Sequence, residues 1–250
     1  MNDAVIHAKL LEAFHKRYGI IPDYESILEC NYRRLIRPGN TVIDIGAHLG
    51  RHTSVFAEIV GPTGRVWAFE PLPQQFSTLK ALNLGSHVKL MNVAVSDRTG
   101  PSSFVHARGT PSESGLRQRI YNVPDVADPE TIQVDVVRLD DFLGPISSLH
   151  FVKIDVEGAE IGCLRGAVNL LRRSRPFVTV EYGASSYSVY GHTRRTLFDF
   201  AESIDFVIGD LFGAVCPDSQ TWDVVCDRVY WDWFLVPRER IAEWQSHLQT

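Results

Sequence analysis

Short, nearly continuous apolar runs alternate along this chain with stretches of helical periodicity, and that rhythm constrains the fold more than any other feature. TVIDIG (41–46) is the first such run. A run this short and this apolar is expected of a strand buried on both faces of a sheet. RVWAFE (65–70), VKLMNVAV (88–95), HFVKIDV (150–156), PFVTVEY (176–182), FVIGDL (206–211) and VYWDWFLVP (229–237) read the same way, and TIQVDVV (131–137) reads as a strand by alternation. Helical stretches lie between them: 51–60, 73–83, one carrying Ile161, Leu164, Val168 and Leu171, and one carrying Leu197, Phe200, Ala201 and Ile204. Strand–helix alternation predicts an α/β fold, a doubly wound and mostly parallel sheet with helices on both faces. No helical stretch is apparent between the last two strands, so an antiparallel hairpin at one edge is expected there.

Ahead of this pattern, residues 1–39 read as a helical extension. Ile6, Leu10 and Phe14 recur at helical spacing, as do Leu28, Tyr32, Leu35 and Ile36, and Pro38-Gly39-Asn40 stops the second helix. The main domain then spans 40–237, and 238–250 is a C-terminal tail. Within the domain, 106–130 is polar and rich in Gly, Pro and Ser, as expected of a lid or substrate loop.

Composition narrows the function. The 25 Lys+Arg against 30 Asp+Glu give a formal charge of −5, which argues against nucleic acid as the partner. No apolar run approaches the roughly 20 residues of a membrane span, and the charged start of the chain is unlike a signal peptide. The four cysteines, Cys30, Cys163, Cys216 and Cys226, form no CxxC pair. Free thiols and a cytoplasmic location are therefore expected.

The chemistry-bearing residues fall at the ends of the strands. The first strand runs into Asp44-Ile45-Gly46-Ala47-His48-Leu49-Gly50. Two glycines between a strand and a helix let a ligand approach the backbone, with helix N-terminal amides facing it. The spacing is G-x-x-x-G, not the G-x-G-x-x-G of dinucleotide sites. A carboxylate at Asp44 would repel a pyrophosphate, which disfavours a nicotinamide-dependent oxidoreductase. It suits a ligand with an ammonium and a sulfonium, such as S-adenosylmethionine. Glu70, followed by Pro71, ends the second strand, where an acid can accept hydrogen bonds from two ribose hydroxyls. Alternation points Lys153, Asp155 and Glu157 to one face beside the same site; an ion pair between the first two is the plain structural alternative. Glu160 falls in the first turn of the next helix. His192, in a loop after Glu181, is a further candidate base, since its ordinary pKa lies near neutrality.

Taken in order, TVIDIGAHLG, VWAFEPLP, NVAVSDRTG, VKIDVEGAEIGCLRGA and FVTVEYG resemble the FkbM family of S-adenosylmethionine-dependent methyltransferases over roughly residues 40–237. The family's first motif usually has Asn where this chain has His48. The resemblance implies a class I, Rossmann-like methyltransferase fold with a seven-stranded sheet. By it, Asp44, Gly46, Ala47, His48 and Gly50 border the methionine part of the cofactor, Glu70 and Pro71 the ribose, and Asn92 and Ala94 the adenine. Asp155 and Glu157 then lie near the transferred methyl group and a small-molecule acceptor, and O-methylation of a sugar or secondary metabolite is the expected reaction.

Asp155, Glu157, Glu181 and His192 are the candidate catalytic residues. Asp155 and Glu181 also occupy positions where some enzymes of this fold bind Mg²⁺, whose preference is for oxygen ligands; the metal requirement stays open. A homodimer is compatible with the helical extension. A non-catalytic binding protein that kept the fold is the alternative function.

Overall fold

The computed structural model describes residues 2–144, 146 and 148–248. Two helices come first, α1 (Asp3–Tyr18) and α2 (Tyr24–Leu35). Asn2 caps α1 by accepting the Ala4 N–H, and Gly19 ends it in the left-handed conformation. The alternating unit follows: β1 (Thr41–Ile45), α3 (Arg51–Val60), β2 (Arg65–Phe69), α4 (Pro73–Ala81) and β3 (Val88–Met91). Next come β4 (Ala94–Val95), β5 (Gly100–Ala107), α5 (Pro124–Ala127), β6 (Pro129–Val137) and α6 (Leu139–Phe142). The second half holds β7 (Phe151–Ile154), α7 (Glu160–Gly166), α8 (Val168–Ser174), β8 (Phe177–Glu181), α9 (Ala184–Tyr187) and α10 (Arg194–Ser203). It closes with β9 (Phe206–Gly209), β10 (Val215–Cys216), α11 (Ser219–Val225), β11 (Asp232–Pro237) and α12 (Ile241–Leu248).

The main sheet has the order β10-β9-β11-β8-β7-β1-β2-β3. β3, β2, β1, β7 and β8 are parallel, and β11 runs antiparallel between β8 and β9. The strand order reverses between β1 and β7, so the loops leaving these two adjacent parallel strands diverge and open a crevice at their C-terminal ends. The antiparallel pairing expected of the last strands is present, but it differs in two ways from a simple edge hairpin. A helix, α11, does intervene, and β11 is an inner strand whose β9 neighbour pairs outward with the short β10. Seven strands make the frame and β10 is an eighth. Only two residues long, β10 carries no period to read.

The run 88–95 also divides. Asn92 donates its amide to the backbone carbonyls of Glu70 and Pro71, which ends β3. Ala94 and Val95 pair instead with β6 in a separate three-stranded sheet, β4-β6-β5. The long β5–β6 ribbon carries residues 108–128 at its end, and this segment holds more structure than a polar loop would. A 3₁₀ turn spans Pro111–Glu113, α5 follows, and Arg119 is almost fully buried.

One continuous core, flanked by smaller clusters, fills the space between the main sheet and its helices. The N-terminal helices and α12 belong to that core through Ala4, Ala8, Leu28, Tyr32 and Trp244. All four cysteines are free, and three of them are buried. Among the described residues no helix is long and apolar enough to cross a membrane.

Candidate active site

A cavity of about 490 Å³ opens at the C-terminal ends of β1, β2, β7 and β8. Pockets of this size are typical of small-molecule and cofactor sites. Its first wall is the loop after β1. The N–H groups of Gly46 and Ala47 both donate to the Phe69 carbonyl, which folds the loop back over β2. Gly46 has φ +88°, and a Cβ there would lie 1.8 Å from the Asp155 carbonyl oxygen. Glycine is therefore demanded by the close approach of the β7 loop as well as by the backbone conformation. His48 is left-handed too, at φ 48°. That turn aims its N–H at Glu70, whose Oε2 accepts it at 2.8 Å, while Oε1 accepts the Leu72 N–H at 2.7 Å.

Glu70 is buried, and burial pushes its carboxyl up to about 7. Each of its oxygens keeps a lone pair beyond the backbone bond, so the group can still accept hydroxyl donors from the cavity. The apolar wall beside it comes from Phe69, Leu72, Val93, Ala94 and Phe104. The ring nitrogen Nε2 of His48 is buried with no hydrogen-bond partner, and burial lowers the ring's pKa. Such an orphan polar atom on a cavity wall is a vacancy that a polar ligand group fills.

The opposite end is acidic. Asp155, Glu157 and Glu181 all line it, each offering a carboxylate oxygen within 4.8 Å of the others. Lys153, buried, donates to Asp155 Oδ2 at 2.7 Å. Burial alone would push Asp155 up, but the ammonium of Lys153 and the hydrogen bond with Glu181 together outweigh it and hold the carboxyl well below the usual range. The hydrogen-bonded neighbour Glu181 moves the other way, raised by burial and by the Asp155 charge. Burial and the neighbouring Asp155 charge thus favour a proton on Glu181, whereas Lys153 favours the ionised form of Asp155. Glu157 is left-handed at φ 59° and is gripped by Arg119, which also donates to Ser185 Oγ at 3.0 Å. The three acids have the spacing of a cation site, yet Lys153 and Arg119 already supply positive charge to two of them. Glu160 accepts the N–H groups of Gly158 and Val156 and fixes the loop that carries Glu157.

Most of the residues expected from the sequence meet here. Gly46, Ala47, His48, Glu70, Pro71, Ala94, Asp155, Glu157 and Glu181 line one cavity, and Gly50 caps the loop as the N-cap of α3. Besides Gly50, three do not line it. Asp44 is fully buried beneath α3, where its Oδ2 accepts the Thr53 hydroxyl at 2.5 Å. It lies one residue before the end of β1, level with Lys153 in the parallel register, so it sits a step deeper than Asp155 and below the crevice. Its charge faces Lys153, the cation it shares with Asp155. Asn92 is spent on the two backbone carbonyls that end β3. His192 stacks on Tyr190, outside the cavity lining.

Two residues went unread in the sequence. Arg119 carries no pattern signal in a polar segment. Glu25 comes from α2, reaches the cavity across more than a hundred residues of chain from Asp155, and accepts from His52 Nε2 at 2.8 Å.

The cavity matches one kind of ligand from end to end: a diol acceptor at Glu70, an apolar slot beside it, and net negative charge where a sulfonium would lie. With the doubly wound sheet and its inserted antiparallel strand, this defines the class I, Rossmann-like methyltransferase fold, with a cavity suited to S-adenosylmethionine as cofactor. A family model described as the methyltransferase FkbM domain matches residues 44–207, and the chain belongs to that family. Membership displaces the nicotinamide reading.

Among curated proteins, the chain is similar to the 31-O-demethyl-FK506 methyltransferase FkbM of Streptomyces tacrolimicus, with 30% identity over 158 residues, 52% of this chain and 60% of that protein. It is also similar to Methyltransferase 1 of Beauveria bassiana, with 27% identity over 143 residues, 50% of this chain and 57% of that protein. The match thus spans less than two thirds of either relative. Among solved structures, methyltransferase FkbM from Methylobacillus flagellatus KT superposes with a TM-score of 0.48 at 18% identity, covering 82% of this chain and 49% of that one.

Proposed function

We propose that the protein methylates a hydroxyl oxygen of a small polyhydroxylated or secondary-metabolite acceptor. The observation that carries this reading is the cluster of Asp155, Glu157 and Glu181, whose carboxylate oxygens lie within 4.8 Å of one another at the acidic end of the cavity. The name of the Streptomyces tacrolimicus relative, which refers to a 31-O-demethyl compound, supports oxygen as the atom methylated.

In this reading Glu70 accepts the two ribose hydroxyls, and Phe69, Leu72 and Val93 form the slot for the adenine. His48 Nε2 takes a polar contact from the methionine part. When bound, S-adenosylmethionine supplies an activated methyl group on a cationic sulfur. The chain's own task is to align the acceptor oxygen in line with that methyl group and to remove its proton. Positioning of this kind is worth on the order of 7–11 kcal/mol. The proton passes to the carboxylate cluster of Asp155, Glu157 and Glu181, which lines this end of the cavity. With the methyl group delivered, the acceptor hydroxyl would become an ether, and its proton would stay on this carboxylate cluster. Arg119 holds Glu157 and, with it, the 106–130 segment over the site. We assign that segment as the lid that excludes water, with Ser112, Ser114 and Leu116 facing the acceptor.

The test is methyl transfer from labelled S-adenosylmethionine to a panel of hydroxylated metabolites, with the product's methyl position fixed by NMR. A methyl ether whose formation Asp155→Asn suppresses is the expected result. A methylated nitrogen or carbon in every productive acceptor would overturn the assignment.

A further inference from the structure

The first helix is built inside out. Its fully buried residues are small, Ala4 and Ala8, with Val5 and Leu11 half-buried against the core, whereas Ile6, Leu10 and Phe14 point to solvent at 37%, 63% and 41% exposure. Tyr18, Ile20 and Ile21, all more than half exposed, continue the apolar surface past the helix end. The helix is no loose arm. His7 Nδ1 lies 2.7 Å from the buried Asp210 carboxylate, Arg228 donates to Glu12 at 2.7 Å, and the Asn2 amide donates to the Val215 carbonyl at 3.1 Å. A firmly docked helix that also keeps a stripe of large apolar residues outside offers a surface for a partner.

The charges on the same face say which partner. At 100° per residue, Asp3, Ile6, Leu10, Phe14 and Arg17 form one stripe. It begins with an acid in the first turn and ends among the basic residues of the last. A stripe of this kind is self-complementary when two copies run antiparallel. With the two-fold axis at Leu10, Ile6 of each copy meets Phe14 of the other, Leu10 meets Leu10, and Asp3 meets Arg17 at both ends. We propose that α1 is the homodimer interface of this protein, an antiparallel α1–α1 pair centred on Leu10, with Ile20 and Ile21 extending it. Such an isologous contact is the commonest form of symmetric assembly. One helix pair is small for an interface, so the dimer forms in the micromolar range.

Sedimentation equilibrium of the full chain tests this, from about 1 to about 200 μM. The wild type is expected to shift from monomer to dimer across that range. Leu10→Glu, which sets two like charges against each other on the axis, is expected to stay monomeric with unchanged melting temperature and unchanged S-adenosylhomocysteine binding. Asp3→Arg and Arg17→Asp are each expected to weaken the dimer by about tenfold, since every dimer holds two such pairs. Combining them should restore it. The two positions lie about 21 Å apart on one helix, so rescue can only pass between copies.

A wild type that stays monomeric throughout, a dimer indifferent to Leu10→Glu, or a charge swap that fails to rescue would each overturn the proposal. So would a monomer that binds vesicles of phosphatidylserine and phosphatidylcholine through Leu10, which would assign the face to a lipid surface instead.

Discussion

Replacing Glu70 by glutamine separates the two duties proposed for that side chain. Its oxygens accept the His48 and Leu72 N–H groups at 2.8 and 2.7 Å, one each. An amide keeps one acceptor and turns its NH₂ toward the other N–H, which costs about 1–3 kcal/mol of stability. The larger effect falls on the cofactor. Two ribose hydroxyls donating to a buried carboxylate contribute on the order of 3 kcal/mol together, so affinity for S-adenosylhomocysteine should drop about 10²-fold.

A pH signature follows from the same burial. Glu70 ionises at about 7 in the folded protein against an ordinary 4.5. Between these values the folded chain holds a proton that the unfolded chain has lost. Its contribution to stability is therefore full below pH 4.5 and is lost as pH rises through about 7. The diol needs the ionised form, so binding near neutrality should release a proton. Affinity at about pH 6 should be about tenfold below its plateau. Calorimetric titration with S-adenosylhomocysteine, in buffers of differing ionisation enthalpy, reads both effects. The wild type should show the slope, and Glu70→Gln should bind weakly without it. A wild-type affinity that is flat across this range, or a Glu70→Gln variant within about threefold of wild type, would refute the reasoning.

Three further outcomes are expected. Asp155→Asn and Glu181→Gln should each lower kcat by about 10²–10⁴-fold while leaving S-adenosylhomocysteine affinity within about threefold; His192→Ala, outside the cavity, should leave kcat nearly unchanged, and steady-state kinetics with a productive acceptor compares them. Lys153→Met strands the buried Asp44 and Asp155 without their shared cation. It should cost about 3–5 kcal/mol at neutral pH by urea denaturation, and an unchanged midpoint would contradict the ion-pair account. Gly46→Ala drives a Cβ to 1.8 Å from the Asp155 carbonyl oxygen at φ +88°. A sharp fall in melting temperature together with loss of cofactor binding is expected, and a normally folded, ligand-competent variant would show that the β1 and β7 loops do not need this close approach.

The sequence by itself determined the parallel frame and much of the site, because both are written in short-range signals. Doubly buried strands are continuous apolar runs. The residues that leave their C-terminal ends, Gly46 to His48, Glu70, Asp155 and Glu181, are delivered to one crevice by strand direction alone. Tertiary structure decided what depends on partners distant in the chain. Packing of α3 over the end of β1 placed Asp44 against Thr53 and Lys153, where a reading by position expected it at the mouth of the crevice. Asn92 divided an apparently continuous strand through side-chain bonds to Glu70 and Pro71, which no period records. Arg119 and Glu25 entered the site from segments with no readable motif, since a buried ion pair or a charged hydrogen bond leaves no periodicity in either strand of sequence that makes it. The outward stripe of α1 shows the same limit from the other side. Helical spacing of Ile6, Leu10 and Phe14 announces a helix, but only packing against the rest of the fold decides which face it buries.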